Sequence, residues 1–132
     1  MKKVINLVIN DGDQVRVSVV RHNELTLVQF WRVLDEYGIE IGKSPLEKET
    51  MVEFKYLFDL LVEQAREILK PYWLAHWEIS DDGFSDAVDW IVGQGRDYYY
   101  RALVQPELVE LPKPYIPEGV IRYSLNEALE VE

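Results

Sequence analysis

Apolar side chains recur at helical spacing between residues 51 and 68. They share one face of a helix and are Met51, Phe54, Leu57, Phe58, Leu61, Ala65 and Ile68. Ser44, Pro45 and Glu47 precede this run in the order of a capping box, so we expect the helix to begin there. It should end just before Pro71, which cannot continue the hydrogen-bonding ladder. The pattern predicts a long amphipathic helix whose apolar face must be buried against other elements.

Two further capping boxes lie near the ends of the chain. Thr26 with Gln29 precedes an apolar run and predicts a helix that starts directly after Thr26. Ser124 with Glu127 predicts a short terminal helix in the same way. The residues VIRY at 120–123 fit either a short strand or the lead-in to that helix. Helices are therefore expected on both sides of the long amphipathic one.

Another helix start lies at Ser80, where the sequence reads ISDDGFSDAVDWIVGQGRDYYY from residue 79. With Ser80 as the N-cap, Ile79 and Phe84 take the positions of a hydrophobic staple. The glycines of the GQG segment at 93–95 then fall inside the helix, where glycine permits close packing of a neighbouring helix. We expect one continuous helix from this cap to about Ala102.

The N-terminal segment carries the signal of a β-hairpin. Two runs rich in β-branched residues flank Asp11 and Gly12, and Asp-Gly favours a two-residue hairpin turn. A turn of that length would place Val4 opposite Val19. Because a two-stranded hairpin is marginal by itself, it should pack on the helices or pair with another strand.

These elements predict an α+β fold, a mainly helical domain with an N-terminal β-hairpin. A single domain is expected over residues 1–132, with the hairpin over 1–21 and the helical region over 26–130. An exposed hairpin edge offers unpaired backbone groups to another chain. Homo-oligomerisation through the hairpin is therefore one expected mode of association.

The charge balance limits the classes of partner. Lys and Arg number 14 against 24 Asp and Glu, which gives a net charge of −10. This balance repels phosphate backbones, so we expect no nucleic-acid partner, and it favours a basic protein partner instead. The absence of cysteine excludes disulfides and thiolate chemistry. No apolar run reaches the roughly 18–20 residues of a membrane span, so we expect no membrane partner and a cytoplasmic location.

Acidic residues crowd the segment after Trp77 and suggest one route to catalysis. Carboxylates spaced at i, i+4 and i+7 share a helix face, as metal ligands require, and His76 lies nearby. The alternative function is thus a small metal-dependent enzyme that uses His76, Asp81, Asp82, Asp86 and Asp89. The helix start explains the first two aspartates as first-turn charges, and the last two should lie on a solvated face. No metal or cofactor is predicted, and the catalytic residues stay unknown.

A binding surface is the favoured interpretation of the same region. The tyrosines at 98–100 span about 200° of a helix, so they cannot all be buried, and Tyr100 should stay exposed. Tyr, Trp and Arg are the residues that anchor interfaces. The predicted binding residues are Asp82, Asp89, Trp90, Gln94, Arg96 and Tyr100. We therefore expect a small acidic protein-binding or regulatory module, of the immunity or inhibitor type, rather than an enzyme.

Several segments resemble a bacterial family of domains of unknown function, number 4240 in that series. They are FWRVLDE near residue 30, EF at 53–54, SDDGF…W…QGR followed by ALVQPEL, and the closing RYSLNEALE. The resemblance covers roughly residues 26–130 and is most specific over 80–108. Two departures are the N-terminal hairpin and Val88-Asp89, where the family often has Phe-Arg. The resemblance implies a mostly helical domain, carries no activity, and marks Asp81, Asp82, Trp90, Gln94, Gly95 and Arg96 as important to the family.

Overall fold

The computed structural model describes residues 3–5, 19–21, 25–112, 117 and 119–129. These residues form five α-helices: α1 (Leu27–Tyr37), α2 (Lys48–His76), α3 (Asp81–Gly93), α4 (Arg96–Val104) and α5 (Val120–Leu129). Short 3₁₀ helices at Gly38–Lys43 and Pro106–Leu108 follow α1 and α4. Helix accounts for 81% of the described chain from Leu25 onward. Nowhere in the described residues is a helix long and apolar enough to cross a membrane.

The predicted α+β fold with a β-hairpin packed on the helices is wrong. From Leu25 onward the described residues contain no strand, and their core is built from helices alone. Two strands of three residues each, β1 (Lys3–Ile5) and β2 (Val19–Arg21), pair antiparallel ahead of this part. The described helices bury one another's apolar faces and so form a core without a sheet layer. The domain is therefore mainly helical.

The pairing of the two strands also differs in register from the prediction. Val4 lies opposite Val20, one residue away from the expected partner Val19. The predicted Asp11-Gly12 turn falls outside the described residues. Homo-oligomerisation through the hairpin stays a prediction.

Two of the predicted N-caps are confirmed. The hydroxyl of Thr26 accepts from Gln29 N at 3.1 Å, while Gln29 Oε1 accepts from Thr26 N at 2.9 Å, which completes the capping box of α1. Ser80 Oγ accepts from Gly83 N at 3.1 Å and so caps α3. In both cases the side chain satisfies a backbone N–H that has no partner inside the helix.

The predicted limits of α2 are wrong at both ends. The helix begins at Lys48 with Glu47 as N-cap, because the Ser44 hydroxyl donates to the Ile41 carbonyl at 2.7 Å and closes the preceding 3₁₀ helix instead. At the other end α2 continues through Pro71 to His76. Proline removes one backbone donor, and tertiary contacts further along the chain offset that loss.

Trp73 supplies these contacts near the end of α2. Its indole Nε1 donates to the Ile79 carbonyl at 3.0 Å, and its ring stacks on Phe84 with centroids 4.3 Å apart. Both interactions are made with the start of α3, and Trp73 is buried. The packing of α3 against α2 therefore holds the last turns of α2 in helical form.

The terminal helix α5 begins four residues before the predicted cap. It starts at Val120, so VIRY forms its first turn and Ser124 lies inside the helix. Ser124 Oγ accepts from Gly42 N at 2.8 Å. A side chain at Gly42 would collide with the Ser124 backbone, so glycine is required for this close approach. The hydroxyl fastens α5 to the 3₁₀ helix after α1 rather than capping its own helix.

Candidate functional site at the break between α3 and α4

The expected continuous helix is interrupted at Gln94 and Gly95. Gly95 has φ 106° and ψ 171°, a backbone conformation that glycine alone adopts without strain. The backbone N–H groups of Gln94 and Gly95 donate to Ile91 O and Val92 O at 3.1 and 3.2 Å, which closes α3. Gly95 therefore separates α3 from α4, whereas Gly93 stays within α3 and permits the close approach of Ile121 from α5, as predicted for glycine in a packed helix.

The break changes which of the three tyrosines is buried. In a continuous helix Tyr98 would share the apolar face of Phe84, but in the structure Tyr99 is fully buried and Tyr98 only partly. The Tyr99 hydroxyl donates to the Leu61 carbonyl at 2.7 Å and lies 3.0 Å from Gln64 Oε1. Burial, with the neighbouring Tyr100 as a second cause, raises the pKa of Tyr99 well above its ordinary value. Tyr99 is thus the anchor of α4 on α2.

The other two tyrosines point their rings at tryptophans near the surface. Tyr98 meets Trp90 edge-to-face at a centroid distance of 5.6 Å, and its hydroxyl accepts from Glu110 N at 3.2 Å. Tyr100 is 40% exposed and meets Trp31 edge-to-face at 6.1 Å. Such pairs favour fixed ring positions. The break is consequently flanked by rigid aromatic groups.

An open groove of about 380 Å³ lies between α1 and the start of α4. Its described lining residues are Val28, Trp31, Arg32, Asp35, Gln94, Gly95, Arg96, Asp97 and Tyr98. Arg96 and Asp97 pair at 3.3 Å, but their side chains are 63% and 82% exposed, so water screens this pair and it contributes little to stability. The groove therefore keeps two arginines and two aspartates accessible on its walls.

A smaller cavity of about 80 Å³ lies on the other side of the break, beneath the start of α5. Its described lining residues are Ile39, Phe58, Asp89, Trp90, Gly93, Gln94, Pro117, Gly119, Val120 and Ile121. Gln94 thus lines both concavities, and its Nε2 donates to the Trp90 carbonyl at 3.2 Å. Trp90 lines the small cavity and Tyr98 lines the open groove. Their edge-to-face contact therefore lies between the two concavities.

Asp89 does not lie on a solvated helix face as expected. Its side chain is only 12% exposed, and Arg122 of α5 donates to both of its oxygens at 3.1 Å, from Nε to Oδ2 and from Nη2 to Oδ1. Nη1 of Arg122 also donates to Asp59 of α2 at 2.6 Å. These bonds, with Asp89 the largest cause, outweigh burial and raise the pKa of Arg122 further above its ordinary value. No local pattern around VIRY signals this long-range partner.

The remaining predicted site residues lie apart from the break. Asp81 and Asp82 are exposed in the first turn of α3. Asp82 stands twelve residues before Gln94, which is about 18 Å along a helix axis. His76 is exposed and packs its ring on Tyr72 at 4.3 Å, and Asp86 is half-buried. Within the described part of the chain, no group of three or more His, Cys, Asp or Glu side chains could hold a metal ion.

The predicted binding residues therefore divide by position. Trp90, Gln94, Arg96 and Tyr100 gather around the break, and Asp89 lies beneath the surface next to them. Asp82 is at the far end of α3. Sequence reasoning missed Trp31, Arg32 and Asp35, which form the α1 wall of the groove. Only the docking of α1 against α4 shows that wall, because α1 is separated from α4 by the whole of α2 and α3.

The fold and the two concavities define a small, acidic, mainly helical protein. Residues 43–129 match the model of the family described as "Protein of unknown function (DUF4240)", which is more than half of the chain. The chain belongs to this family, and the resemblance drawn from the sequence is confirmed. The matched region leaves out the FWRVLDE segment around residue 30. No curated protein and no solved structure matches the chain.

Proposed function

We propose that this protein is a non-enzymatic binding module that presents the surface around the α3–α4 break to a basic protein partner. This break surface consists of Trp90, Gln94, Arg96, Tyr98 and Tyr100. The observation that carries the proposal is the helix break itself, because it brings exposed aromatic and arginine side chains together beside an open groove. Regulation or neutralisation of the partner, as by an immunity-type inhibitor, is the role that fits the size and charge.

The character of the groove favours a protein over a small molecule. Small-molecule sites are enclosed and mostly apolar, with a few polar groups. Here four of the nine lining residues are charged, namely Arg32, Asp35, Arg96 and Asp97. Tryptophan, tyrosine and arginine are typical of the few residues that dominate binding energy in protein interfaces. The break surface has this composition.

The charge of the chain supports a basic partner. A net charge of −10 attracts a basic protein over a distance set by the salt concentration and accelerates its association. The break surface then determines which basic protein stays bound, since complementary contacts mainly set the rate of dissociation. A cytoplasmic location and a single domain over residues 1–132 are part of the same proposal.

Affinity purification of the tagged full chain from its native cells tests the proposal. We expect the same basic protein to be recovered with the wild type and with Tyr123→Ala, the matched control. Tyr123 is 68% exposed on α5, outside both concavities. Tyr100→Ala and Arg96→Ala should each lower the recovered amount by about tenfold or more, as loss of an interface anchor does. Recovery of no basic protein, or equal recovery with all variants, would contradict the proposal.

A further inference from the structure

We propose that the cavity beneath α5 receives the guanidinium group of an arginine side chain carried by the protein partner. This inference rests on the proposed function and names the chemistry by which the partner is recognised. The cavity adjoins the break surface through Trp90 and Gln94, so a partner seated on that surface lies directly above its opening. The juxtaposition of a carboxylate, an indole ring and an amide in one small cavity carries the proposal.

The size of the cavity decides what class of group it holds. Its volume of about 80 Å³ is well below the roughly 300–1,000 Å³ of sites for drug-sized ligands and cofactors. It is nevertheless several times the space that one water molecule needs. A single side-chain head group is the occupant that this volume fits.

The polar lining selects a cationic head group. Arg122 takes one acceptor position on each oxygen of Asp89, and a carboxylate has about four such positions, so acceptor capacity remains. Gln94 donates its Nε2 to the Trp90 carbonyl, which leaves its Oε1 as a second acceptor. Asp89 and Gln94 thus offer acceptors to a group that only donates, and guanidinium is such a group.

The aromatic walls favour the same occupant. Trp90 is half-buried beside the cavity, and tryptophan is the ring that binds cations best. Phe58, on another wall, already has the guanidinium carbon of Arg122 at 5.2 Å from its ring centroid. A planar, weakly hydrated guanidinium stacks on such rings more readily than a compact ammonium does. Arginine is therefore favoured over lysine.

The charged groups nearby balance one another. Asp59 and Asp89 face Arg122 and Lys55, with Lys55 Nζ 3.4 Å from Asp59 Oδ2. Two carboxylates thus face two cationic side chains, and the approach of a cation is favoured by the net charge of the whole chain. Once inside, the cation gains short-range bonds to Asp89, whose side chain is only 12% exposed, and to Gln94 at the exposed edge of the cavity.

Titration with a small probe tests this inference without the partner. The ¹⁵N-labelled full chain is titrated with N-acetyl-arginine methylamide and, in parallel, with the neutral isostere N-acetyl-citrulline methylamide. We expect saturable shifts of the Trp90 indole N–H and the Gln94 side-chain amide with the arginine compound. The citrulline compound should bind about tenfold more weakly, since it lacks the charge-assisted bonds. No saturable shift, or equal affinity for both compounds, overturns the inference.

Two matched variants separate the cavity from the ion network. Asp89→Asn removes the cavity carboxylate and should weaken binding of the arginine compound by about tenfold, the effect of losing one charge-assisted bond. Asp59→Asn also deprives Arg122 of a partner, but Asp59 does not line the cavity. The affinity of this variant for the arginine compound should therefore stay within about twofold of the wild-type affinity. Trp90→Leu keeps an apolar side chain and should weaken binding severalfold, which decides the case if Asp89→Asn does not fold. Unchanged affinity in Asp89→Asn, or in Trp90→Leu where that variant decides, overturns the inference.

The two proposals fail in distinguishable ways. If the arginine compound does not bind but Tyr100→Ala still loses the partner, the proposed binding function is supported and the arginine cavity is contradicted. If no basic partner is recovered while the arginine compound binds with the expected dependence on Asp89, the arginine cavity is supported and the proposed function is contradicted.

Discussion

Single residues in this protein have environments that their sequence neighbours do not reveal. Tyr98, Tyr99 and Tyr100 are consecutive, yet they are partly buried, fully buried and 40% exposed. The helical periodicity requires only that the three cannot all be buried, and the break at Gly95 decides which one is. Asp89 is similar, because Arg122 of α5 draws it into an ion pair. The partners that fix these two side chains, Leu61 for Tyr99 and Arg122 for Asp89, are distant in sequence.

Tyr99 makes the stability of the protein sensitive to alkaline pH. The buried phenol stays neutral in the folded state because its pKa is raised, whereas in the unfolded chain it ionises near its ordinary pKa of about 10. The unfolded state therefore binds fewer protons above that pH, and the free energy of unfolding falls as the pH rises. Urea unfolding at pH values from about 8 to 11 measures this fall.

Replacement of the phenol isolates the contribution of Tyr99. Tyr99→Phe should show a shallower fall of stability above pH about 10, and it should cost about 1 kcal/mol at neutral pH through its lost hydrogen bonds. Tyr123→Phe, at the exposed surface of α5, should follow the wild type at every pH. A Tyr99→Phe variant with the wild-type pH dependence would show that Tyr99 is not the titrating group.

At the scale of helices, capping residues are reliable only where no other hydrogen-bond partner competes for their side chains. Thr26 and Ser80 cap α1 and α3 as their sequences predict. Ser44 and Ser124 precede equally regular patterns but bond to Ile41 O and Gly42 N instead. Ser44 bonds within the 3₁₀ helix after α1, and Ser124 joins α5 to that same 3₁₀ helix, so neither hydroxyl caps the helix that its sequence pattern predicts.

The Ser80 cap of α3 contributes about 1 kcal/mol to the stability of the protein. Ser80→Ala should lower the free energy of unfolding by that amount, because the N–H of Gly83 loses its acceptor. Ser80→Asn keeps an acceptor at the same position and should stay within a few tenths of a kcal/mol of the wild type. Chemical denaturation of the three proteins measures the difference. Equal stability of Ser80→Ala and the wild type would refute the cap.

Arg122 fastens α5 to two other helices at once. Arg122→Met should destabilise the protein by about 2–4 kcal/mol, because Asp89 is left largely buried without its charged partner. Arg122→Lys should recover only part of this loss, since an ammonium cannot donate in parallel to both carboxylate oxygens. The matched control is Arg96→Met, whose pair with Asp97 is exposed and should contribute less than about 1 kcal/mol.

Urea denaturation compares these variants, and a double-mutant cycle completes the test. Asp89→Leu combined with Arg122→Met should cost less than the sum of the two single changes, because the double variant leaves no buried charge unpaired. Additive costs, or an Arg122→Met variant as stable as Arg96→Met, would mean that the ion pair does not hold α5.

At the scale of the whole molecule, the sequence identified the family and the mainly helical content of the chain. The predicted α+β fold is nevertheless wrong, because the described residues from Leu25 onward build their core from helices alone. The domain contains its core without the hairpin: every described buried hydrophobic side chain lies between Leu25 and Leu125 on the helical part. Local propensity shows which elements can form, but the area that they bury decides which of them build the core.

The sequence by itself determined the helical periodicity of α2, the caps of α1 and α3, and the acidic charge of the chain, because these depend on neighbouring residues or on composition. The tertiary structure decided the break at Gly95, the course of α2 through Pro71, the burial of Tyr99 and the pairing of Asp89 with Arg122. The break follows from the backbone conformation of Gly95, which the regular pattern around it does not reveal, and the other three depend on contacts between separate elements. No local pattern encodes such contacts, so they become visible only once the helices are packed.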